Sequence, residues 1–335
     1  MSADDAQGGP AGPDVDPAIA RAGVLAGRMR AAIARTVVGQ DEVIDQVLMA
    51  LFAGGHVLIE GVPGLGKTLL VRTLSGIFGG VFGRIQFTPD LMPADITGHV
   101  LYDMKAEQFR VRKGPVFCNL LLADEINRAP AKTQAALLEV MQEHQVTLEG
   151  NSMSVPEPFM VLATQNPLEQ EGTYPLPEAQ LDRYLLKVLI DYPDVDEERR
   201  LVDAVTTGRV GDTLDSGDAD PLTDPETVRK LQRITASVAL DGAVLDYAVA
   251  IVRETRQWPG ISVGAGPRGG ISLVRAARAA ALLHGRDHVL PDDIKRAALP
   301  ALRHRIALAP ELELEGQNSD RVLAGILDKV EAPRR

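Results

Sequence analysis

The chain has 335 residues, of which 45% are hydrophobic, one cysteine and a formal net charge of −11. This length supports a sizeable core and two domains plus tails. The charge argues against a protein that coats nucleic acid, and the lone Cys118 allows neither an internal disulfide nor a cysteine-based zinc site.

Met1 to Asp16 is rich in Gly, Pro and Asp, has no basic or long apolar stretch, and reads as a disordered tail rather than a signal peptide. No apolar run approaches membrane-spanning length, so a cytoplasmic protein is expected. From Pro17 to about Thr36, Ile19, Val24, Leu25, Met29, Ile33 and Ala34 recur at helical spacing. Val37-Val38-Gly39-Gln40 breaks that helix, and Asp41 caps a second with Val43, Ile44, Val47, Leu48 and Leu51 on its apolar face. Gly39 and Gln40 either touch an adenine or form a simple helix-breaking turn.

The β-branched run Val57-Leu58-Ile59 then leads into Gly61 to Thr68, which matches G-x-x-x-x-G-K-[ST] at Gly61, Gly66, Lys67 and Thr68. Glycines without a Cβ let the backbone turn its N–H groups inward around a phosphate, and the helix opening at Lys67 adds its positive end. Lys67 supplies a mobile point charge to the β/γ-phosphates of a nucleotide, and the Thr68 hydroxyl can ligate Mg²⁺. The expected nucleotide contacts are Gly61, Pro63, Gly64, Leu65, Gly66, Lys67, Thr68 and Leu69.

A helix to about Phe78 and a strand from Arg84 to Thr88 follow. Pro89 to Gly98 is too proline-rich for a regular helix and too apolar for an inert loop. It is either an insertion facing a partner, a ring pore or a substrate, or a packed surface loop. Short strands at Gly98–Tyr102 and Gln108–Val111 come next. Leu120-Leu121-Leu122-Ala123-Asp124-Glu125 is an apolar run ending in two carboxylates, as in a buried parallel strand whose end meets the phosphate loop. Asp124 is then the Mg²⁺ holder, usually through water, and Glu125 orients and deprotonates the attacking water.

A helix over Pro130–Gln145, a hairpin turning at Gly150-Asn151 and a strand over Phe159–Ala163 bring the chain to Asn166, placed to hydrogen-bond the attacking water or the γ-phosphate. Leu176 to Tyr184 is a short helix ending in Arg183, the planar cation that a neighbouring subunit's γ-phosphate requires. Leu185–Ile190 closes the sheet. Between Asp191 and Glu226 lie 12 acidic residues, with Gly211 to Pro221 expected as a flexible linker. Helical patterns at about Asp224–Ala236, Asp241–Gln257, Arg268–His284 and Pro291–His304 form a locally basic lid.

In combination, Gly61–Thr68, Asp124-Glu125-Ile126-Asn127-Arg128, Ala163-Thr164-Gln165-Asn166-Pro167 and Glu178-Ala179-Gln180-Leu181-Asp182-Arg183 resemble the MoxR family of AAA+ ATPases over about residues 20–310. The resemblance implies a helix-2 insertion at Leu91–Gly98, a pre-sensor-1 hairpin at Val146–Val155, sensor 1 at Asn166, an arginine finger at Arg183 and sensor 2 at Gly264–Arg268, with Arg268 a cation at the γ-phosphate. Arg128 is either a second inter-subunit cation or a surface salt-bridge partner. The sequence departs from the family pattern at Tyr184, where Phe is common, and at Gly269-Gly270, where a small helix former is usual. The family also implies a ring, a hexamer, and a chaperone-like role in maturing partner proteins, often with a partner bearing a von Willebrand factor A domain.

The expected architecture is therefore an α/β P-loop NTPase of AAA+ type, with a parallel sheet followed by a smaller α-helical lid and ATP between them. Its parts are a tail at 1–16, a nucleotide-binding core at 17–192, a linker at 193–223, the lid at 224–310 and a tail at 311–335. The expected activity is Mg²⁺-dependent ATP hydrolysis. A nucleic-acid-dependent motor and a nucleotide-gated assembly scaffold are the rival readings, with nucleic acid disfavoured as a partner.

Overall fold

The computed structural model describes residues 16–62, 64–167, 172–207 and 221–333. Pro63, the tail before residue 16 and all of the expected Gly211–Pro221 linker except Pro221 lie outside the described residues. Asp16 Oδ1 accepts from Ala18 N and Pro17 sits in the first turn of α1 (Pro17–Thr36), where its missing N–H costs nothing. α2 (Asp41–Phe52) has Gln40 rather than Asp41 at its cap, with Asp41 and Glu42 in the first turn. The nucleotide-binding core continues through β1 (Val57–Glu60), α3 (Lys67–Ile77) and β2 (Phe82–Gln86).

Pro89 to Gly98 contains a helix after all, the five-residue α4 (Pro93–Thr97). Pro93 occupies its first turn, and Met92 N donates to Asp95 Oδ2 at 2.9 Å. Ile96 is fully buried, and Leu91 O accepts from Thr133 Oγ1 at 2.7 Å, so this segment packs on the core while Met92 stays exposed. β3 (Gly98–Asp103) and β4 (Gln108–Lys113) form an antiparallel hairpin whose second strand is exposed throughout.

After β5 (Leu120–Asp124) come α5 (Ala131–Glu143), the hairpin of β6 (Gln145–Leu148) and β7 (Asn151–Ser154), then β8 (Met160–Gln165), α6 (Glu178–Leu181) and β9 (Leu186–Leu189). The main sheet runs β2-β5-β8-β1-β9, and every pair in it is parallel. Both faces of the central strands β1, β5 and β8 are covered, so these strands are apolar on both sides and side-chain alternation divides them between two cores. Val57 and Ile59 pack with α1, α2, α3 and the lid, whereas Leu58 packs with Leu121, Ala123 and the α5 residues Leu137 and Leu138. Parallel pairing sets the ends of β1, β5 and β8 side by side, which brings Glu60, Asp124 and Gln165 to one edge.

The expected linker at 193–223 is partly helical: α7 (Val195–Thr206) begins with a reciprocal cap in which Glu197 N donates to Asp194 Oδ1 at 2.8 Å and Asp194 N to Glu197 Oε2 at 3.1 Å. The lid comprises α8 (Pro225–Ser237), α9 (Gly242–Glu254), β10 (Ile261–Val263), α10 (Pro267–Leu283), α11 (Pro291–Leu302) and β11 (Ala307–Leu308). α10 is continuous through Gly269-Gly270. A Cβ on Gly269 would sit 3.1 Å from Leu302 Cδ2 and 3.4 Å from Arg305 Cδ, so glycine lets α10 and α11 close on each other.

Within the expected tail at 311–335, the described residues pack with the lid instead. α12 (Pro310–Leu314) leads to α13 (Ser319–Lys329), where Val322, Leu323 and Ile326 are buried, and Arg303 Nε donates to Asp320 Oδ1 at 2.9 Å. The spacing of those three apolar residues on one helical face drives the packing. Among the described residues, no helix is long and apolar enough to cross a membrane.

His56, ahead of β1, donates from Nε2 to Met141 O at 3.1 Å and accepts from Val161 N at Nδ1. Burial pushes its pKa down to about 4. The unfolded chain therefore takes up the proton first as pH falls, and stability should be lost from pH 6.5 toward 4, by about 2 kcal/mol at pH 5. Urea midpoints at pH 7 and pH 5 test this: the drop should be smaller in His56→Gln than in the parent, and equal drops would refute it.

Candidate active site

Gly61 follows β1, and any Cβ there would lie 2.5 Å from Ile190 O. Gly64 and Gly66 take φ of 87° and 75°, the left-handed region in which a loop can turn its N–H groups inward around a phosphate. The cleft so formed has a volume of about 370 Å³ and is lined by Lys67, Thr68, Asp124, Glu125, Thr164 and Asn166, with Arg72 and Arg84 on its wall. Lys67 Nζ donates to Gly61 O. Burial holds the Lys67 ammonium below the usual lysine range, opposed by Asp124, Glu125 and Glu60.

The two carboxylates are separately fixed. Asp124 Oδ1 accepts from Thr164 Oγ1 at 2.7 Å and Oδ2 from Arg84 Nη2 at 2.8 Å. Glu125 N donates to the same Thr164 hydroxyl at 2.8 Å, while Glu125 Oε2 accepts from Gln86 Nε2 at 2.8 Å and Arg128 Nη1 at 3.2 Å. Glu125 has φ 56° and ψ 51°, a left-handed conformation that turns its side chain away from the line of β5. Asn166, 7% exposed, follows β8 and faces the same cleft. Asp124 and Thr68 present oxygen donors beside Lys67, a set that fits Mg²⁺ bound with a polyphosphate.

A narrow slot of about 50 Å³ continues from Gly64, Gly66 and Leu69 to Val37, Val38, Gln40, Leu65 and Pro193. Gln40 lines it and donates from Nε2 to Asp191 O at 3.3 Å. Gly39 takes φ 74°, the left-handed region that favours glycine, and an added Cβ there would lie 3.0 Å from the Glu197 side chain.

Arg183 and Arg268 are together, and both are away from this cleft. They line a second cavity of about 370 Å³ with His144, Gln142, Asp182 and Arg275, which shares no lining residue with the first. Arg183 donates to Leu138 O and Gln142 Oε1 on α5, and Arg268 Nη1 lies 3.7 Å from Asp182 Oδ2. The lid is not across the phosphates as expected: α10 packs on α2 and α1, α11 packs on β9, and no described lid residue lines the cleft.

A profile for the ATPase family associated with various cellular activities (AAA) matches residues 56–186, and one for an AAA lid domain matches 253–326. The chaperone MoxR1 of Mycobacterium tuberculosis is 43% identical, covering 90% of this chain and 81% of its own length. The chain belongs to the MoxR family of AAA+ ATPases. Protein MoxR of Methylorubrum extorquens is 34% identical across 92% of this chain and 95% of its own, and the uncharacterized protein YeaC of Bacillus subtilis is 46% identical across 92% and 95%. The crystal structure of an ATPase candidate from Cytophaga hutchinsonii superposes with a TM-score of 0.87, at 39% identity, over 95% of this chain and 97% of that one.

In this MoxR-family chain three supporting residues were not singled out by sequence: Arg84, Gln86 and Thr164. Arg84 and Gln86 lie two apart on β2, so they share a face, but only the pairing of β2 with β5 puts them against Asp124 and Glu125. Arg128 pairs with Glu125 of its own chain. The basic lid is largely committed internally: Arg275 donates to Ala53 O and Gly54 O, Arg278 to Ala236 O, and Arg286 pairs with Asp293 at 2.6 Å.

Proposed function

We propose that this MoxR-family chain hydrolyses ATP with Mg²⁺ in a homo-oligomeric ring of six subunits, each active site being completed by the next subunit. The observation that carries this reading is the separation of chemistry within one chain. The phosphate loop, Asp124, Glu125 and Asn166 share one cleft, while Arg183 and Arg268 line another surface. Phosphoryl transfer requires cations at the developing charge, and a ring supplies the second surface of one subunit to the first cleft of its neighbour.

In the assembled site Lys67 and the loop amides hold the phosphates, and Asn166 positions the attacking water. Glu125 accepts that water's proton, held off Asp124 by its left-handed backbone and aimed by Gln86. Thr68 and Asp124 would hold Mg²⁺, which when bound neutralises phosphate charge. Arg183 of the adjacent subunit, with Arg268 beside it, stabilises the charge that develops on the transferred phosphoryl group.

The cycle is proposed to drive remodelling or maturation of a client protein, delivered by a partner with a von Willebrand factor A domain. The relative named as a chaperone supports this role. The internal pairing of the lid arginines speaks against a nucleic-acid motor. Specific ATP turnover measured against protein concentration should climb and then saturate as rings form. A flat rate from a species that sizes as a monomer would refute the shared site.

A further inference from the structure

The turn that presents Arg183 is gripped from behind by the lid. α11 gives way to Arg303-His304-Arg305, and each of these reaches a core carbonyl. Arg303 Nη1 donates to Lys187 O at 3.2 Å, and His304 Nε2 donates to Tyr184 O at 3.1 Å. Arg305 donates from Nε to Asp182 Oδ1 at 2.7 Å and from Nη2 to Tyr184 O at 2.7 Å and Asp182 O at 3.2 Å. Its Nη1 donates to Leu185 O at 3.2 Å and to Ala301 O.

A guanidinium has five N–H groups, and here five acceptors meet them while the residue is only 9% exposed. Burying a cation is costly unless its geometry is fully satisfied, so this saturation fixes the direction of the turn in a way apolar packing does not. Asp182 lies at the centre: one carboxylate oxygen takes Arg305, the other lies 3.7 Å from Arg268, and the next residue is Arg183. The tip of Arg183 meanwhile rests on α5, at Gln142 and Leu138 O. The base of the arginine is therefore set by the lid and its tip by the core.

We propose that Asp182, held by Arg305 and Arg268, is a positioning residue that makes the reach of Arg183 toward the neighbouring nucleotide follow the position of this subunit's own lid. The inference rests on the shared active site proposed above. It makes the turnover rate in one cleft depend on the lid of the subunit that supplies the arginine.

Asp182→Asn tests it in the assembled full chain, because asparagine keeps an acceptor for Arg305 Nε and removes only the charge shared by the two arginines. The expected result is a fall in kcat of about 3- to 30-fold, with KM for ATP and ring mass unchanged. Combined with Arg183→Ala it should cause no further loss, since both act through one group. Arg305→Lys, which keeps the charge and loses the fork, should reproduce the kcat effect. If Arg183→Ala leaves kcat unchanged, the shared-site reading fails. If Arg183→Ala lowers kcat while Asp182→Asn does not, or if the two losses add in full, positioning by Asp182 is overturned and the shared site stands.

Discussion

A Glu125→Gln chain should bind ATP like the parent and turn it over about 10²–10⁴-fold more slowly. Glutamine keeps the length and the acceptor oxygen that Gln86 engages at 2.8 Å, so the site's shape survives. What is lost is the group that accepts the proton from water. Nucleotide affinity should hold because Lys67, Thr68 and the loop amides are untouched, and kcat should fall without a matching change in binding. Equilibrium binding of a fluorescent ATP analogue and steady-state phosphate release measure the two quantities. Full turnover with normal binding would remove Glu125 from the mechanism and favour the scaffold reading.

Arg183→Ala should cost about 10³-fold or more in kcat, and mixing should partly undo the loss. An Arg183→Ala subunit keeps a sound cleft, and a Glu125→Gln subunit keeps a sound arginine. In randomly mixed rings roughly a quarter of the interfaces unite the two sound halves, because ring interfaces are heterologous. Phosphate release from an equal mixture should therefore rise far above either variant alone. A mixture no faster than its components, with exchange of subunits verified by mass, would place Arg183 outside its neighbour's site.

The phosphate loop and Asp124-Glu125 were readable because the chemistry is local: the glycines, lysine and threonine fall within eight residues, and the carboxylates end an uninterrupted apolar strand. Element order through the core followed from periodicity for the same reason. Positions set by long-range packing were not readable. Arg268 sits at the start of α10, but which surface it reaches depends on α10 packing against α2 and α1. Thr164 bonds both Asp124 and Glu125 only because β5 and β8 pair in the observed register. α7 and α13 carried legible signals, Asp194 with Glu197 in one and Val322, Leu323 and Ile326 in the other. Acidic composition and position near the end of the chain outweighed those signals.

The backbone of Glu125 sets folding and turnover against each other at one residue. A side chain in the left-handed region costs about 1–2 kcal/mol relative to glycine's freedom there, and the protein carries that cost at the residue proposed as its proton acceptor. Selection for heat resistance alone would thus tend to erase the glutamate, and selection for turnover alone would keep it. Thermostable descendants of this chain that remain active should owe their gains to other parts of the molecule.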